Sequence, residues 1–271
     1  MNVARRRLDE ELVAQGLFAS TDDALRSVLA GEISTTDRRL TSAGERVRPG
    51  LPLHVRGRLA YVSRGGFKLE RGLDALDVDP AGLRCLDVGC STGGFTDCLL
   101  KHGAASVLAV DVGYAQFDWS LRQDARVTLL ERTNITAVPT PERAGTIDLA
   151  VCDVSFTSVR TVLPAVMELL AARGSLLALV KPQFEAARAE VGEGGVVSDP
   201  AVQLRVLEEV ACAFAAAGLT PCGACPSPIR GHKGNREFLL LGERDREGTG
   251  VGLDLATVVY DAHAACGEPC D

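Results

Sequence analysis

The chain has 271 residues, of which 46% are hydrophobic and 24% are charged, so it can bury one large core and a smaller one. No apolar stretch reaches the ~18 residues of a membrane span. Acidic residues follow the basic start where a signal peptide would need an apolar core, and we expect a cytoplasmic protein. The net charge of −7 does not suit a protein coated with positive charge for nucleic acid.

Residues 1–60 form a candidate small domain with its own charge balance. They carry ten Arg and eight Asp or Glu, a local net charge of +2, whereas the remainder carries −9. Apolar residues at helical spacing predict a first helix within residues 4–16. Ser20 is placed to cap a second helix that ends at Gly31, and the apolar run at 51–55 predicts a strand.

After residue 60, strand-like apolar runs alternate with helical segments. We assign 61–66 as a linker, 67–246 as a large domain and 247–271 as a tail. The alternation predicts an α/β fold with a mostly parallel sheet covered on both faces. Runs near 219–229 and 236–241 lack an intervening helix and predict an antiparallel hairpin at one edge. The other runs lie at 84–89, 106–112, 126–130, 147–153 and 175–180, and the helical patterns lie at 94–102, 157–172 and 199–217.

The stretch Cys85–Phe95, CLDVGCSTGGF, places three glycines directly after the first apolar run of the large domain. Glycine-rich turns in this position commonly bind nucleotides. This turn lacks both the GxGxxG spacing of dinucleotide sites and the Lys-Ser/Thr pair of a phosphate-binding P-loop. A tight strand–helix turn without a ligand is the alternative interpretation.

Two acidic residues favour a different cofactor. Asp87, just before the first glycine, is unsuited to a phosphate and would suit a cation such as the ammonium group of a methionine moiety. Asp111 ends the next predicted strand, where a carboxylate can accept hydrogen bonds from both hydroxyls of a ribose. The pattern therefore favours S-adenosylmethionine (SAM), which has an amino acid, a ribose and no phosphate.

Four polar residues are separated in the sequence but could converge at the carboxyl ends of the strands. Asp153 and Lys181 end two predicted strands, Glu237 opens the last one, and Lys68 begins the first helix of the large domain. Each alone could be an ordinary solvated charge. Together, two Lys and two acids could orient a sugar hydroxyl and partly deprotonate it for alkylation.

Several segments resemble, in the same order, the TlyA family of ribosomal RNA methyltransferases, historically also called haemolysins. The resemblance covers the chain from Arg5 to Gly242. It implies an S4-like RNA-binding domain followed by a Rossmann-like class I methyltransferase domain of the FtsJ/RrmJ type, with a seven-stranded, mostly parallel sheet. The segments are RRRLDEELVAQGL, YVSRGGFKLERGLDAL, CLDVGCSTGGFTDCLL, VLAVDVGYAQ, CDVSFTSV, LVKPQFEA, VGEGGVVSDP and GHKGNREFLLL.

The resemblance also implies a reaction and a site. The family's reaction is 2′-O-methylation of cytidines in ribosomal RNA, of the small subunit alone or of both subunits, with SAM as the cofactor. The Lys-Asp-Lys-Glu tetrad for this reaction corresponds to Lys68, Asp153, Lys181 and Glu237. The cofactor site corresponds to Asp87, Gly89, Ser91, Gly93, Gly94, Phe95, Asp111, Asn134 and Asp153.

Candidate phosphate contacts lie in the small domain. Asp22, Asp23 and the stretch STTD stand where an S4 domain usually has basic residues and a strand. We predict that this domain docks on structured RNA while the large domain methylates an extruded nucleotide. The arginines that remain as candidates are Arg5, Arg6, Arg7, Arg38, Arg39, Arg46 and Arg48.

Other functions have less support in the sequence. A haemolysin-like, membrane-active protein would need a span or a strongly basic amphipathic helix, and DNA lacks the 2′-hydroxyl. A small-molecule methyltransferase would leave the small domain without a purpose, and a non-catalytic ribosome-binding or assembly factor would not need the four polar residues. Nine Cys include a CxxC at Cys222 and Cys225, but the spacing matches no standard zinc site, so we expect reduced thiols and no metal.

Overall fold

The structure, a computed structural model, describes residues 5–18, 20–35, 38–51, 53–55, 60–244 and 253–264. The chain divides into two compact units, Met1–Ala60 and Tyr61–Asp271, which we call unit 1 and unit 2. Two of the nine cysteines, Cys266 and Cys270, lie outside the described residues.

The described part of unit 1 combines two short helices with two-residue strands around a small apolar core. Ser20 caps the second helix as predicted, because its hydroxyl accepts a hydrogen bond from the Asp23 N–H. Within the segment expected to be a strand at 51–55, the last two residues form one, residue 52 lies outside the described residues, and three other two-residue strands are present in the described part of unit 1. The elements are β1 (Arg6–Arg7), α1 (Leu8–Ala14), α2 (Thr21–Leu29), β2 (Ile33–Ser34), β3 (Arg46–Val47) and β4 (His54–Val55), with β1 paired to β3 and β2 to β4.

Unit 2 is built on a seven-stranded sheet. Its strands are β5 (Arg84–Val88), β6 (Ser106–Val110), β7 (Val127–Leu130), β8 (Ile147–Cys152), β9 (Leu170–Val180), β10 (Thr220–Pro226) and β11 (Phe238–Glu243). Its helices are α3 (Gly65–Ala75), α4 (Gly94–Lys101), α5 (Trp119–Arg122), α6 (Val159–Leu169), α7 (Pro182–Glu185), α8 (Pro200–Ala216) and α9 (Leu255–Ala264).

The strand order is β10–β11–β9–β8–β5–β6–β7. The neighbouring pairs β9–β8, β8–β5, β5–β6 and β6–β7 run parallel, whereas β11 is antiparallel to both β9 and β10. The predicted α/β, Rossmann-like fold with a mostly parallel sheet is therefore confirmed, as is the hairpin at its edge.

Side chains of the sheet alternate between two apolar clusters, one on each face. On β5, Leu86 and Val88 belong to the cluster that includes residues of α6 and α8, whereas Cys85 belongs to the cluster that includes residues of α3 and α4. This alternation is the two-residue period of a strand buried on both faces.

The sheet topology indicates where a ligand should bind. From β5 the chain continues to β6 and β7 on one side, and β8 then returns to the other side of β5. In open α/β sheets, ligands bind at such a reversal, beyond the carboxyl ends of the strands. The loops after Val88 and Cys152 lie at this point.

One predicted helix is too long. The segment expected to be helical over 157–172 leaves the helix at Leu169, and β9 begins at Leu170 rather than at residue 175. The stretch LAAR favours a helix by intrinsic propensity, but Leu170 pairs with Ile147 of β8. Pairing with the neighbouring strand overrides the local preference, which a reading of single residues cannot anticipate.

Helix α9 covers part of the core of unit 2 with Leu255 and Val259, which are both buried. It is the last element described. No helix among the described residues has the length and apolar character that a membrane crossing requires.

Candidate active site

The glycine loop, residues 89–94, turns sharply because its backbone enters the left-handed region three times. Gly89 has φ +83°, Ser91 +47° and Gly93 +94°. A Cβ at position 89 would lie 2.7 Å from the carbonyl oxygen of Asp153. The ends of β5 and β8 therefore approach too closely for any side chain at this residue.

The end of the glycine loop packs against the start of α3. A Cβ at Gly94 would collide with Ser63 Oγ, and the backbone nitrogen of Gly66 lies only 3.0 Å from the same point. Phe95 is buried directly after it. Gly94 and Phe95 thus hold the segment that leads to Lys68 beside the loop.

Asp87 is fully buried beneath the glycine loop. Thr96 Oγ1 donates a hydrogen bond of 2.7 Å to its Oδ2, whereas Oδ1 has no hydrogen-bond partner among the described residues. Burial raises the pKa of Asp87 to about 7; the Thr96 hydrogen bond opposes this rise and the charge of Asp153 adds to it. An unpartnered buried acceptor of this kind can be satisfied by a cationic ligand group.

Asp111 follows β6, and backbone N–H groups fix both of its carboxylate oxygens. Ser91 N–H donates to Oδ2 at 2.7 Å and Gly113 N–H donates to Oδ1 at 2.6 Å. Each oxygen retains a lone pair that could accept a bond from a hydroxyl. Asn134 follows Thr133, whose N–H donates to the Asp111 carbonyl, and its side chain caps the next short turn.

The four polar residues form two ion pairs. Lys68 Nζ lies 2.6 Å from Glu237 Oε2. Lys181 Nζ lies 2.6 Å from Asp153 Oδ1 and donates to Ser155 Oγ at 2.9 Å. The Glu237 and Lys181 side chains are only 3% and 9% exposed, so each needs the partner that neutralises it.

One cavity of about 240 Å³ connects the ion pairs with the glycine loop. Each pair contributes one lining residue, Lys68 or Asp153, and the other member, Glu237 or Lys181, is buried. Of the residues predicted to bind the cofactor, Asp87, Gly93, Asp111 and Asn134 are not in the lining. The remaining predicted residues in the lining are Gly89, Ser91, Gly94 and Phe95, and the loop before β11 adds Gly231 and His232.

Two aromatic residues close to the ion pairs are not among the residues predicted from the sequence. Phe156 is 92% exposed with φ +62°, and its ring centroid lies 5.2 Å from that of Phe184. A left-handed, non-glycine residue costs about 1–3 kcal/mol and tends to persist at functional sites. Their positions in the sequence could have indicated a role at the site, because each Phe follows a predicted catalytic residue, Asp153 or Lys181, by three positions.

All seven arginines predicted to contact RNA are exposed in unit 1. Three of them have carboxylate partners, in the pairs Arg6–Glu11, Arg7–Asp9 and Arg38–Glu45. Arg46 donates to the carbonyl oxygen of Arg5 at 3.2 Å. The remaining two of the seven predicted arginines are Arg39 and Arg48.

The described residues contain no group of three or more His, Cys, Asp or Glu side chains placed to hold a metal ion. Cys222 and Cys225 both lie in β10, and Cys225 is buried.

The fold and the site define an FtsJ-like methyltransferase: the family model of that description matches residues 61–244. The chain is 41% identical to the 16S/23S rRNA (cytidine-2′-O)-methyltransferase TlyA of Mycobacterium tuberculosis, over 93% of this chain and 96% of the relative. It is 30% identical to the 23S rRNA (cytidine-2′-O)-methyltransferase TlyA of Campylobacter jejuni, over 88% of this chain and 93% of the relative. That relative is named for the RNA of the large subunit alone, so the expectation that the family acts on the small subunit alone or on both subunits was too narrow. A solved structure described as a hemolysin from Streptococcus thermophilus is 39% identical, with a TM-score of 0.72 over 97% of both chains.

The chain therefore belongs to the TlyA family of FtsJ-like methyltransferases. SAM is the cofactor of this class, and the residues of the site fit it. The glycine loop brings bare backbone to the cavity, and the two acids next to it are outside the lining: Asp87 has an unpartnered buried Oδ1 that could accept from a cation, and Asp111, which is bonded to the N–H of the lining residue Ser91, presents two oriented oxygens for a pair of hydroxyls.

Proposed function

We propose that this protein methylates the 2′-oxygen of a cytidine ribose in ribosomal RNA and acts on ribosomal subunits in the cytoplasm. The observation that carries the proposal is the arrangement of two Lys–carboxylate pairs at a cavity shared with the glycine loop. The names of the Mycobacterium tuberculosis and Campylobacter jejuni relatives support cytidine and ribosomal RNA as the substrate.

SAM, when bound, supplies a methyl group that already carries a good leaving group, so the demand on the protein falls on the nucleophile. A ribose hydroxyl is a weak nucleophile until it is oriented and its developing negative charge is stabilised. We assign this task to Lys181. An ammonium has three N–H donors; Ser155 takes one, and the ion pair with Asp153 holds the group in place, which leaves a donor for the ribose oxygen. We assign the proton that the hydroxyl releases to the cavity-lining carboxylate of Asp153.

We assign a second positioning role to the Lys68–Glu237 pair. Lys68, in the first turn of α3, lines the cavity, and Glu237, directly before β11, holds its ammonium in an ion pair. Held in this way, Lys68 can donate to an oxygen of the bound nucleotide without losing its own orientation. Much of the rate should come from such alignment of the reacting groups.

Recognition of an RNA nucleotide is supported by the exposed ring of Phe156, which contacts the half-buried Phe184, and by unit 1. Phe156 offers a bare ring face three residues beyond Asp153, and bases that leave a helix commonly stack on such rings. We propose that unit 1 is the S4-like RNA-binding domain and that the seven exposed arginines contact phosphates there. We also propose that residues 61–66 are the linker, residues 67–246 the methyltransferase domain and residues 247–271 the tail.

The test is transfer of tritiated methyl from SAM to intact ribosomes, separated subunits and naked ribosomal RNA. Nuclease digests should contain the label in 2′-O-methylcytidine. Replacing Lys181 by Ala should lower the rate by about 100-fold or more, because the group that stabilises the oxygen is lost. The dissociation constant of SAM should stay within about threefold, since a transition-state contact contributes little to ground-state binding.

Lys101→Ala is the matched control, because this half-exposed lysine on α4 pairs with Asp97 away from the cavity. It should retain the wild-type rate. A Lys181 variant that loses SAM binding instead would argue against the catalytic role. Absence of label on every RNA substrate, with SAM binding intact, would contradict ribosomal RNA methylation.

A further inference from the structure

Asn235 is a buried residue, 2% exposed, two positions before Glu237. Its Oδ1 accepts a hydrogen bond from Val197 N–H at 3.1 Å. Its Nδ2 donates to the carbonyl oxygens of Gly195 at 2.9 Å and His232 at 3.1 Å. One side chain thus joins two loops, residues 231–235 (the wall loop) and residues 192–197 (the support loop).

The wall loop forms one side of the catalytic cavity. Gly231 and His232 line the cavity, and Gly231 N–H donates to the Asn235 carbonyl oxygen at 2.8 Å. A Cβ at position 231 would collide with the Glu237 carboxylate, so the loop backbone packs directly against that group. A shift of the wall loop would release Glu237, and with it the ammonium of Lys68.

The support loop is itself anchored in the body of unit 2. Gln203 of α8 is fully buried, and its Nε2 donates to the Val197 carbonyl oxygen at 2.8 Å. Its Oε1 lies 2.9 Å from Nε2 of His263 in α9. Both backbone polar groups of Val197 are therefore held, its N–H by Asn235 and its carbonyl oxygen by Gln203. Hydrogen bonds run without interruption from α9 to the cavity wall.

We propose that Asn235 is a positioning residue for methyl transfer, which rests on the function proposed above. Asn235 holds Gly231 and His232 against Glu237, so that the Lys68–Glu237 pair keeps its position at the cavity. Its side-chain polar groups bond to Gly195, Val197 and His232 rather than reaching the cavity. Its loss should therefore act on the rate constant of the bound complex rather than on binding.

The test compares Asn235→Ala with Val210→Ala, a truncation of a fully buried residue in α8 that destabilises the core without touching either loop. Three measurements are made, all well below the melting temperatures. Hydrogen–deuterium exchange follows peptides that cover residues 192–197 and 231–237. Methyl transfer to ribosomal RNA gives kcat and KM, and calorimetry gives the dissociation constant of SAM.

In Asn235→Ala, exchange should rise in both loops and kcat should fall by about 10-fold to 100-fold, as expected when a reacting group is displaced by about 1 Å. KM for RNA and the dissociation constant of SAM should stay within about threefold. Val210→Ala should change neither the exchange of the loops nor kcat by more than about twofold.

Unchanged exchange in the two loops, or a kcat equal to that of Val210→Ala, would overturn the proposal. If the Ala variant does not fold, Asn235→Ser serves instead, because serine is polar but too short to span both loops. If the wild-type protein labels no RNA, the proposed function fails. The exchange measurement would still show whether Asn235 joins the loops.

Discussion

Asp87 links the cofactor site to pH through a buried carboxyl group. Burial raises its pKa from 3.8 to about 7, so its protonated form is substantially populated near neutral pH. Because the folded-state pKa exceeds the unfolded value, Asp87 favours the folded state most at low pH, and this contribution is lost as pH rises through about 7. A bound cation would act in the opposite sense, since it favours the ionised carboxylate.

We therefore expect SAM to bind more tightly as pH rises towards about 7 and to reach a plateau above it. Below that point the dissociation constant should increase by up to about tenfold per pH unit, because only the ionised fraction binds well. Titration calorimetry across this range measures the effect. Asp87→Asn should bind weakly with a flat profile; an equally steep profile in the variant would assign the effect to another group.

Asp111 should contribute mainly to cofactor affinity. Asp111→Ala removes two charged acceptors for ribose hydroxyls and leaves the N–H groups of Ser91 and Gly113 without their partner. Bonds to charged groups contribute about 1.5–3 kcal/mol each, so SAM affinity should fall by at least about tenfold. Asp124→Ala, which breaks an ion pair with Arg126, is the control. An unchanged dissociation constant for Asp111→Ala would refute the ribose assignment.

At the level of secondary structure, a buried carboxylate joins two helices next to the ion pairs. Glu185 ends α7, the short helix that follows Lys181. It accepts hydrogen bonds from Val159 N–H at 2.7 Å, from Ser158 Oγ at 2.5 Å and from Arg160 Nε at 3.1 Å. These donors belong to the first turn of α6, where a negative charge also interacts favourably with the helix dipole.

Glu185→Ala should lower the free energy of unfolding by about 1–3 kcal/mol, because it leaves buried donors of α6 without an acceptor. Urea denaturation measures the change. Glu209→Ala removes a more exposed carboxylate that pairs with the same Arg160, and it should cost less than about 1 kcal/mol. Equal losses in the two variants would show that Glu185 has no special role at the junction.

At the level of the whole molecule, the arginines of unit 1 differ in whether a carboxylate neutralises them. Carboxylates already neutralise Arg6, Arg7 and Arg38, whereas Arg48 lies on the same exposed segment as Arg46 without such a pair among the described ion pairs. If phosphate contacts are the role of unit 1, the unneutralised arginines should matter most.

Replacing both Arg46 and Arg48 by Ala should weaken binding to ribosomal RNA and reduce the slope of log K against log salt by about 1–2, one phosphate contact for each arginine. SAM affinity should not change. Arg26→Ala is the control, because this arginine of α2 pairs with Asp23. Filter binding over a range of salt concentrations provides the slope. A slope equal to that of the wild type would exclude these two residues as phosphate contacts.

Local sequence patterns are enough to predict the framework of the molecule. Apolar runs identified β5, β6, β8, β11 and the body of β9, because strands buried on both faces must be continuously apolar, and also the less buried edge strand β7. The glycine loop and the four polar residues could be predicted as well, since backbone approach and strand-end charge are local features. The boundary at Leu170 could not, because it depends on pairing with Ile147 of another strand.

Which charged side chains form pairs depends on tertiary packing. Lys68 and Glu237 are separated by 169 positions, and the packing of α3 against β11 brings them within 2.6 Å. The same is true of Asn235 with Val197 and of Glu185 with the first turn of α6. Hydrogen bonds and ion pairs depend on distance in space, and distance in space follows from how strands and helices pack rather than from the residues next to them in the chain.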